Sequence, residues 1–452
     1  MLEEPQRCAL MLVCVALTAP VASARTESDE AWPQWRGPEL TGASRSAKPP
    51  LTWGEDRNVA WKRALPSWAG SSPIVSGERV FVTSPSAPKA EADGDVARVL
   101  PNMTRRNPGG PDLLLLCFDR RDGKPVWEYR LDDGNRLFGK QNLSSPSPVT
   151  DGKTVWVLSG TGVLAAVDFG GKELWRKDLA AEWGAFLPAW GYASSPVLWK
   201  DRILIQVLQA SGESYLAAVG ADSGNVLWKE GRKTDAQREC PDAYTTPTIA
   251  RTPQGEQVIV VGANYVTGHD PLTGRELWRG GGLNPQLAGN YRIVPSPVVA
   301  AELVIAPTRV KPMLAYRLGG TGDVTGSHLA WKYEGKGAPD VPSPVTDGTR
   351  IYLVDDRGVA VCLKASTGEV LWGPERTADG TVSASPVLAD GRIYITNEIA
   401  TTTVLAAGDA FNILATNMLD DGYTISTPAP AGADLFIRTS AHLYCIRQLP
   451  GK

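Results

Sequence analysis

Short apolar runs rich in β-branched and aromatic residues recur along the chain, each bounded by residue pairs that turn it back. The clearest copy reads Pro344-Val345, Asp347-Gly348, Arg350-Ile351-Tyr352-Leu353-Val354, Asp356-Arg357-Gly358, Val359-Ala360-Val361-Cys362-Leu363, Thr367-Gly368 and Glu369-Val370-Leu371-Trp372. The runs have strand length. Glycine in Asp-Gly and Thr-Gly takes positive φ without steric cost, so the pattern predicts four short strands joined by three turns.

The unit repeats. Ser/Thr-Pro followed by two small or apolar residues occurs with prolines at 73, 148, 196, 247, 297, 344, 386 and 428. A second marker closes the units at Trp61, Trp127, Trp175, Trp228, Trp278, Trp331 and Trp372, with Leu414 in the eighth place. Four-stranded units at this spacing predict an all-β, eight-bladed β-propeller over residues 58–446, because such units bury their faces only against one another. The last unit has three strands, whereas Asn58-Val59-Ala60-Trp61-Lys62 stands ahead of the first Ser-Pro. The N-terminal strand is therefore expected to complete the eighth blade and remove the open edges.

Composition narrows the function. With Lys+Arg 46 against Asp+Glu 49, the charge of −3 excludes a basic nucleic-acid-binding surface. Residues 1–24 read as an export signal, with the apolar run Ala9–Leu17 and small residues before cleavage at Ala24. A leader over 25–57 follows, and a tail over 447–452 ends the chain. No later run has the length of a membrane span, so a soluble, monomeric protein in the periplasm or outside the cell is expected. Cys117, Cys362 and Cys445 lie in apolar runs, where a buried free thiol acts as a small hydrophobe, and no structural disulfide is expected.

The order Ser-Pro, Asp-Gly, apolar strand, Thr-Gly, Glu-Leu-Trp, as in Leu272-Thr273-Gly274-Arg275-Glu276-Leu277-Trp278, resembles the repeats of the pyrroloquinoline-quinone (PQQ) propeller superfamily. Trp32-Pro33-Gln34-Trp35-Arg36-Gly37-Pro38 is similar to a leader that precedes the first blade in exported bacterial members. The superfamily holds quinoprotein alcohol dehydrogenases and also non-enzymatic members, such as the propeller subunit of the outer-membrane β-barrel assembly machinery. The resemblance specifies the fold; activity has to be argued from a site.

Loops leaving the Trp strands and turns between second and third strands share one face, and there the sequence is irregular. Candidate contact residues are Trp68, Asn142, Trp190, Tyr192, Tyr244, Tyr291, Arg292, Asp340, Asp356, Arg357, Asn397, Glu398 and Tyr423. Aromatics mixed with polar groups around a central funnel suit an envelope protein, a small ligand or a carbohydrate. An insertion over 84–112 in the first blade projects over the same face.

An enzyme reading would need PQQ held by calcium, with carboxylate and amide ligands and a catalytic carboxylate. Asp132-Asp133, Asp420-Asp421 and Asn397-Glu398 supply oxygen, but acidic pairs near glycine are ordinary turn chemistry. The adjacent cysteines of the alcohol-oxidising branch are missing from the sequence. His269, His328 and His442 lack metal or triad spacing, and the Gly-rich stretches precede no helix. The expectation is a non-catalytic binding scaffold without a cofactor or metal, with PQQ plus calcium as the alternative.

Overall fold

The computed structural model describes Met1 and residues 30–88, 108–419 and 423–450. Most of the export signal, the centre of the 84–112 insertion and the Asp420-Asp421 pair lie outside the described residues. Eight antiparallel sheets of four core strands follow one another around the molecule as an eight-bladed propeller. Each blade runs from an inner strand at the channel to an outer strand at the circumference. In the first these are Ile74–Ser76, Arg79–Pro85, Leu113–Asp119 and Pro125–Asp132. In the eighth, Ala429–Ala431, Asp434–Arg438 and His442–Arg447 are completed by Val59–Ala64, with Trp61 opposite Cys445. Closure by the N-terminal strand is as the sequence predicts, and the last strand runs one residue past the expected boundary, to Arg447.

Middle strands are buried on both faces, so they read as continuous apolar runs: Val163–Asp168, VLAAVD, is buried through Val167. Outer strands alternate, as Glu173–Asp178 does. The cores lie between blades; one joins Ile305 and Ala315 to Ile351 and Val361. Cys117, Cys362 and Cys445 are buried free thiols within strands, and Cys240 is buried in a loop, where its Sγ donates to Ala288 O.

The repeated Trp ties each blade to the next. Trp127 Nε1 donates to Phe169 O at 2.9 Å, Trp175 to Ala221 O at 2.8 Å and Trp331 to Ala365 O at 2.9 Å. Each of these rings lies on the glycine of the following blade's turn: a Cβ on Gly368 would stand 2.7 Å from the Trp331 ring, and on Gly171 2.8 Å from Trp127. The turn glycine is thus required twice, by its positive φ and by the indole above it. Trp278 departs from the pattern and bonds Gln257 Oε1. The next blade replaces its tight turn with an excursion whose Gly322–Asp323 pairs in parallel with Trp278 and Arg279.

At the channel the Ser/Thr of every Ser/Thr-Pro step accepts the backbone N–H of its counterpart in the preceding blade. Ser72 donates to Ser147, Ser147 to Ser195, Ser195 to Thr246, Thr246 to Ser296, Ser296 to Ser343, Ser343 to Ser385, Ser385 to Thr427, and Thr427 back to Ser72. Distances run from 2.8 to 3.2 Å. The proline that follows has no N–H to lose because it opens an innermost strand, the edge position that tolerates it.

The leader enters the channel. Trp32 exchanges backbone bonds with Val75, and Pro33 O accepts from Thr150 N. Ala43–Ser44 pairs in parallel with the inner strand Val387–Ala389. Arg36, 2% exposed, donates to the carbonyls of Pro344 and Pro386. These contacts lie on the Asp-Gly side of the hydroxyl ring, so the leader plugs that end. Its Trp35 Nε1 reaches Thr427 Oγ1 in the ring. Inner strands expose unpaired carbonyls and N–H groups to the channel, and a strand drawn from the same chain satisfies them.

The docking glycines can be tested in pairs. Gly368→Ala adds a steric conflict with Trp331 to the cost of φ +72°, whereas Gly391→Ala, at φ +66° with open space around it, carries only the backbone cost. Gly368→Ala should lower stability by about 2–4 kcal/mol and Gly391→Ala by about 1 kcal/mol, read from urea midpoints. Equal losses would show that Trp docking is not the constraint.

Candidate functional site

The plug leaves a blind funnel of about 340 Å³ on the irregular face. Its floor is Trp35, its wall the hydroxyl ring with Val294 and Ile425, and its mouth Phe138, Lys140, Gln141, Trp190, Tyr244, Arg292 and Val341. A small hairpin, Leu137–Phe138 and Gln141–Asn142, carries three of these mouth residues.

Trp190 is the most open aromatic of the mouth, 43% exposed. It is nevertheless held: Tyr244 Oη accepts its backbone N–H at 2.9 Å, and its Nε1 donates to Glu239 Oε1 at 2.9 Å. Asp242, buried, fixes the same loop by accepting from Ala189 N and Ala210 N. Burial raises the Tyr244 phenol well above its ordinary range, which keeps it neutral.

Charge is arranged in a chain around the mouth. Arg292 Nε lies 3.3 Å from Glu239 Oε1, its Nη1 3.6 Å from Asp340 Oδ1, and Arg309 Nε 3.3 Å from the same Asp340 oxygen. Lys140 Nζ meets Glu398 Oε1 at 2.8 Å, and Ser383 Oγ donates to that oxygen at 2.6 Å. Asp356 accepts Val341 N–H at 3.0 Å. Burial, reinforced by the neighbouring Asp340 charge, raises the Asp356 carboxyl to about 6.

The structure separates the thirteen predicted residues. Trp190, Tyr244 and Arg292 line the funnel, and Asp340, Asp356 and Glu398 stand behind it. Trp68 and Tyr423 meet edge to face at 6.3 Å, and Trp68 O accepts from Asn142 Nδ2, so these three tie loops together. Arg357 is exposed on its turn and outside the funnel lining. Three candidates are frame rather than contact surface. Tyr192 is 2% exposed, packs on Phe186 and donates to Gln206 O. Tyr291, also 2% exposed, bonds Thr308. Asn397 caps its turn by accepting from Ile399 N and Thr401 N.

Sequence reasoning missed the ring hydroxyls, Trp35, Phe138, Lys140 and Glu239. The first were visible as the Ser/Thr of the repeat marker and Trp35 as part of the leader motif, although neither signal says which way the side chain faces. Lys140 and Glu239 carried no signal of their own.

PQQ with calcium does not fit this donor set. The funnel lining contains no Asp or Glu among the described residues. Nearby carboxylates are engaged by Arg292, Arg309, Lys140 or a backbone N–H, and the described residues hold no group of three acids, His or Cys placed for a metal.

Comparisons with known proteins agree on the architecture. The family model described as PQQ_2, outer membrane protein assembly factor BamB, matches residues 112–324 and 320–413. Outer membrane protein assembly factor BamB of Yersinia pestis is 22% identical over 340 residues, covering 72% of this chain and 77% of its own. The crystal structure of BamB from Moraxella catarrhalis superposes with a TM-score of 0.52 at 15% identity, over 75% of this chain and 90% of that one. Quinohemoprotein alcohol dehydrogenase from Comamonas testosteroni superposes with 0.61 at 12% identity, over 95% and 83%. At such identities the structural likenesses speak for the fold.

The raised Asp356 carboxyl gives a pH signature. The folded state holds its proton more tightly than the unfolded chain, so its contribution is favourable in acid and is lost as pH rises from about 4 through about 6. Asp356→Asn keeps an acceptor for Val341 N–H and removes the buried charge. It should stabilise the protein by about 1–3 kcal/mol at pH 7.5, with the gain vanishing near pH 4, as followed by thermal melts across that range.

Proposed function

The chain belongs to the PQQ-type propeller family described as outer membrane protein assembly factor BamB, and on that premise we propose that it is a non-catalytic scaffold of the cell envelope. It holds an envelope protein engaged in outer membrane protein assembly on its irregular face. The observation that carries this reading is the character of that face, where exposed apolar groups stand on a bonded frame. Trp190 is 43% exposed, Leu187 50%, Ile399 53% and Leu287 74%, and all four belong to loops and turns around the funnel. Aromatic and apolar anchors ringed by charged groups are the usual make-up of a protein-binding patch. The charge chain from Glu239 to Arg309 supplies the polar rim.

The export signal read over residues 1–24 supports a periplasmic location. No helix among the described residues is long and apolar enough to cross a membrane. A dehydrogenase reading finds no support in the donor set, since the carboxylates that would bind calcium are engaged elsewhere.

A photo-crosslinking amino acid placed at Trp190 or Leu287 in the producing cell should give adducts with a component of outer membrane protein assembly. The same group at Asn225, exposed on the short-turn face, should give none. Adducts arising only from Asn225, or only with proteins unconnected to the outer membrane, would refute the assignment.

A further inference from the structure

On the short-turn face, opposite the irregular one, two departures from the repeat meet. In the fourth blade the inner strand Thr248–Thr252 has five residues where the other blades have two or three, so its hairpin with Gly255–Gly262 reaches further out, to the pair Thr252 and Gly255. In the fifth blade, residues 318–328 join Met313–Arg317 to Leu329–Tyr333, where the counterparts at 221–225 and 365–369 are tight turns. Between hairpin and excursion lies a cleft of about 580 Å³ that extends to Ser366 of the sixth blade. We propose that this cleft binds a phosphate group borne on a hydroxylated body.

Charge supplies the first argument. Arg251 and Arg317 line the cleft against a single acid, Glu302, so its field is positive. Glu256 lies 3.6 Å from Arg251 Nε, and Arg317 Nη1 has only Leu329 O, at 3.4 Å, among the described residues. Most donors of both guanidinium groups are therefore left for a ligand, and their fork matches phosphate oxygens in pairs. Backbone supplies the second argument. Gly319 and Gly320 follow one another at φ +90° and +89°, and their N–H groups meet no acceptor among the described residues. Successive free amides are a common anion cradle. The His328 ring is seated against Gly320, where a Cβ would stand 2.8 Å from Nε2, and its Nδ1 lies 2.9 Å from Ser327 Oγ. Size supplies the third. The cleft exceeds what one phosphate fills, and Glu302 and Gln254 offer acceptors for hydroxyls on the attached body. A soluble sugar phosphate and the headgroup of phosphatidylglycerol share this chemistry.

Two assays on the full chain tell the sources apart: titration calorimetry with glucose 1-phosphate and with glucose, and flotation with phosphatidylcholine vesicles with and without phosphatidylglycerol. Glucose 1-phosphate binding at least tenfold tighter than glucose identifies a soluble phosphate ester. Capture by the phosphatidylglycerol vesicles alone, with no sugar phosphate bound, identifies the headgroup. Either probe should be released as salt rises. Arg317→Gln should weaken the bound probe at least fivefold with an unchanged melting temperature. Arg275→Gln, the same loss of charge at an exposed turn of that face outside the cleft, should leave binding unchanged. Equal weakening by both substitutions, glucose and its phosphate binding alike, or no probe binding at all, would overturn the proposal.

Discussion

The ring of hydroxyl-to-amide bonds around the channel is the interaction on which the rest of the molecule depends. A propeller is a linear array bent until its ends meet, and each blade buries its faces only if both neighbours stay in place. The ring fixes the innermost strand of every blade to the next and returns from Thr427 to Ser72 without a break. Each bond contributes about 0.5–1.5 kcal/mol net, so the ring as a whole is comparable with the entire stability of an ordinary domain, about 5–15 kcal/mol. Trp docking repeats the same coupling at the periphery, which leaves the middle strands free to be purely apolar.

The seam between first and last blades carries more than its share. Arg438, 1% exposed, donates to Thr83 O at 2.6 Å and also reaches Ser71 O, while Ser426 Oγ donates to Ser71 O. Arg120 and Arg447 converge on buried Asp434. Burial with only carbonyls for company lowers Arg438 to about 9, a cost borne where the last blade, continuous with the first only through its outer strand Val59–Ala64, is held to it. The plug completes the frame by capping inner-strand groups that would otherwise face the channel. Because plug and ring close one end, the irregular face is the side from which the funnel can be entered, and loop variation there leaves the frame intact.

The fold was legible because its determinants are local and repeated: turn glycines, strand-length apolar runs, Ser-Pro steps and Trp residues at a constant place in each unit. Even the closing strand could be read, since Val59–Ala64 bears the outer-strand pattern with no inner strand before it. The site was legible only in part. Trp190, Tyr244 and Arg292 reach the funnel, whereas Tyr192 and Tyr291, equally aromatic and in equivalent loops, turn into the core, because a loop lacks the period that tells inward from outward. The leader's path was hidden for a different reason. Its partners, Val75, Pro344, Pro386 and Val387–Ala389, lie far away in sequence, and backbone pairing leaves no mark on side-chain pattern.

Hydrogen exchange at the ring amides tests the closed ring most directly. If closure is continuous, the segment spanning Thr427, whose N–H donates to Ser72 across the seam, should exchange as slowly as those spanning Ser195 and Thr246 within the array, all three opening only with global unfolding. Fast exchange confined to Thr427 would contradict the account: the propeller would then be an array resting against itself, with the seam as its weak point.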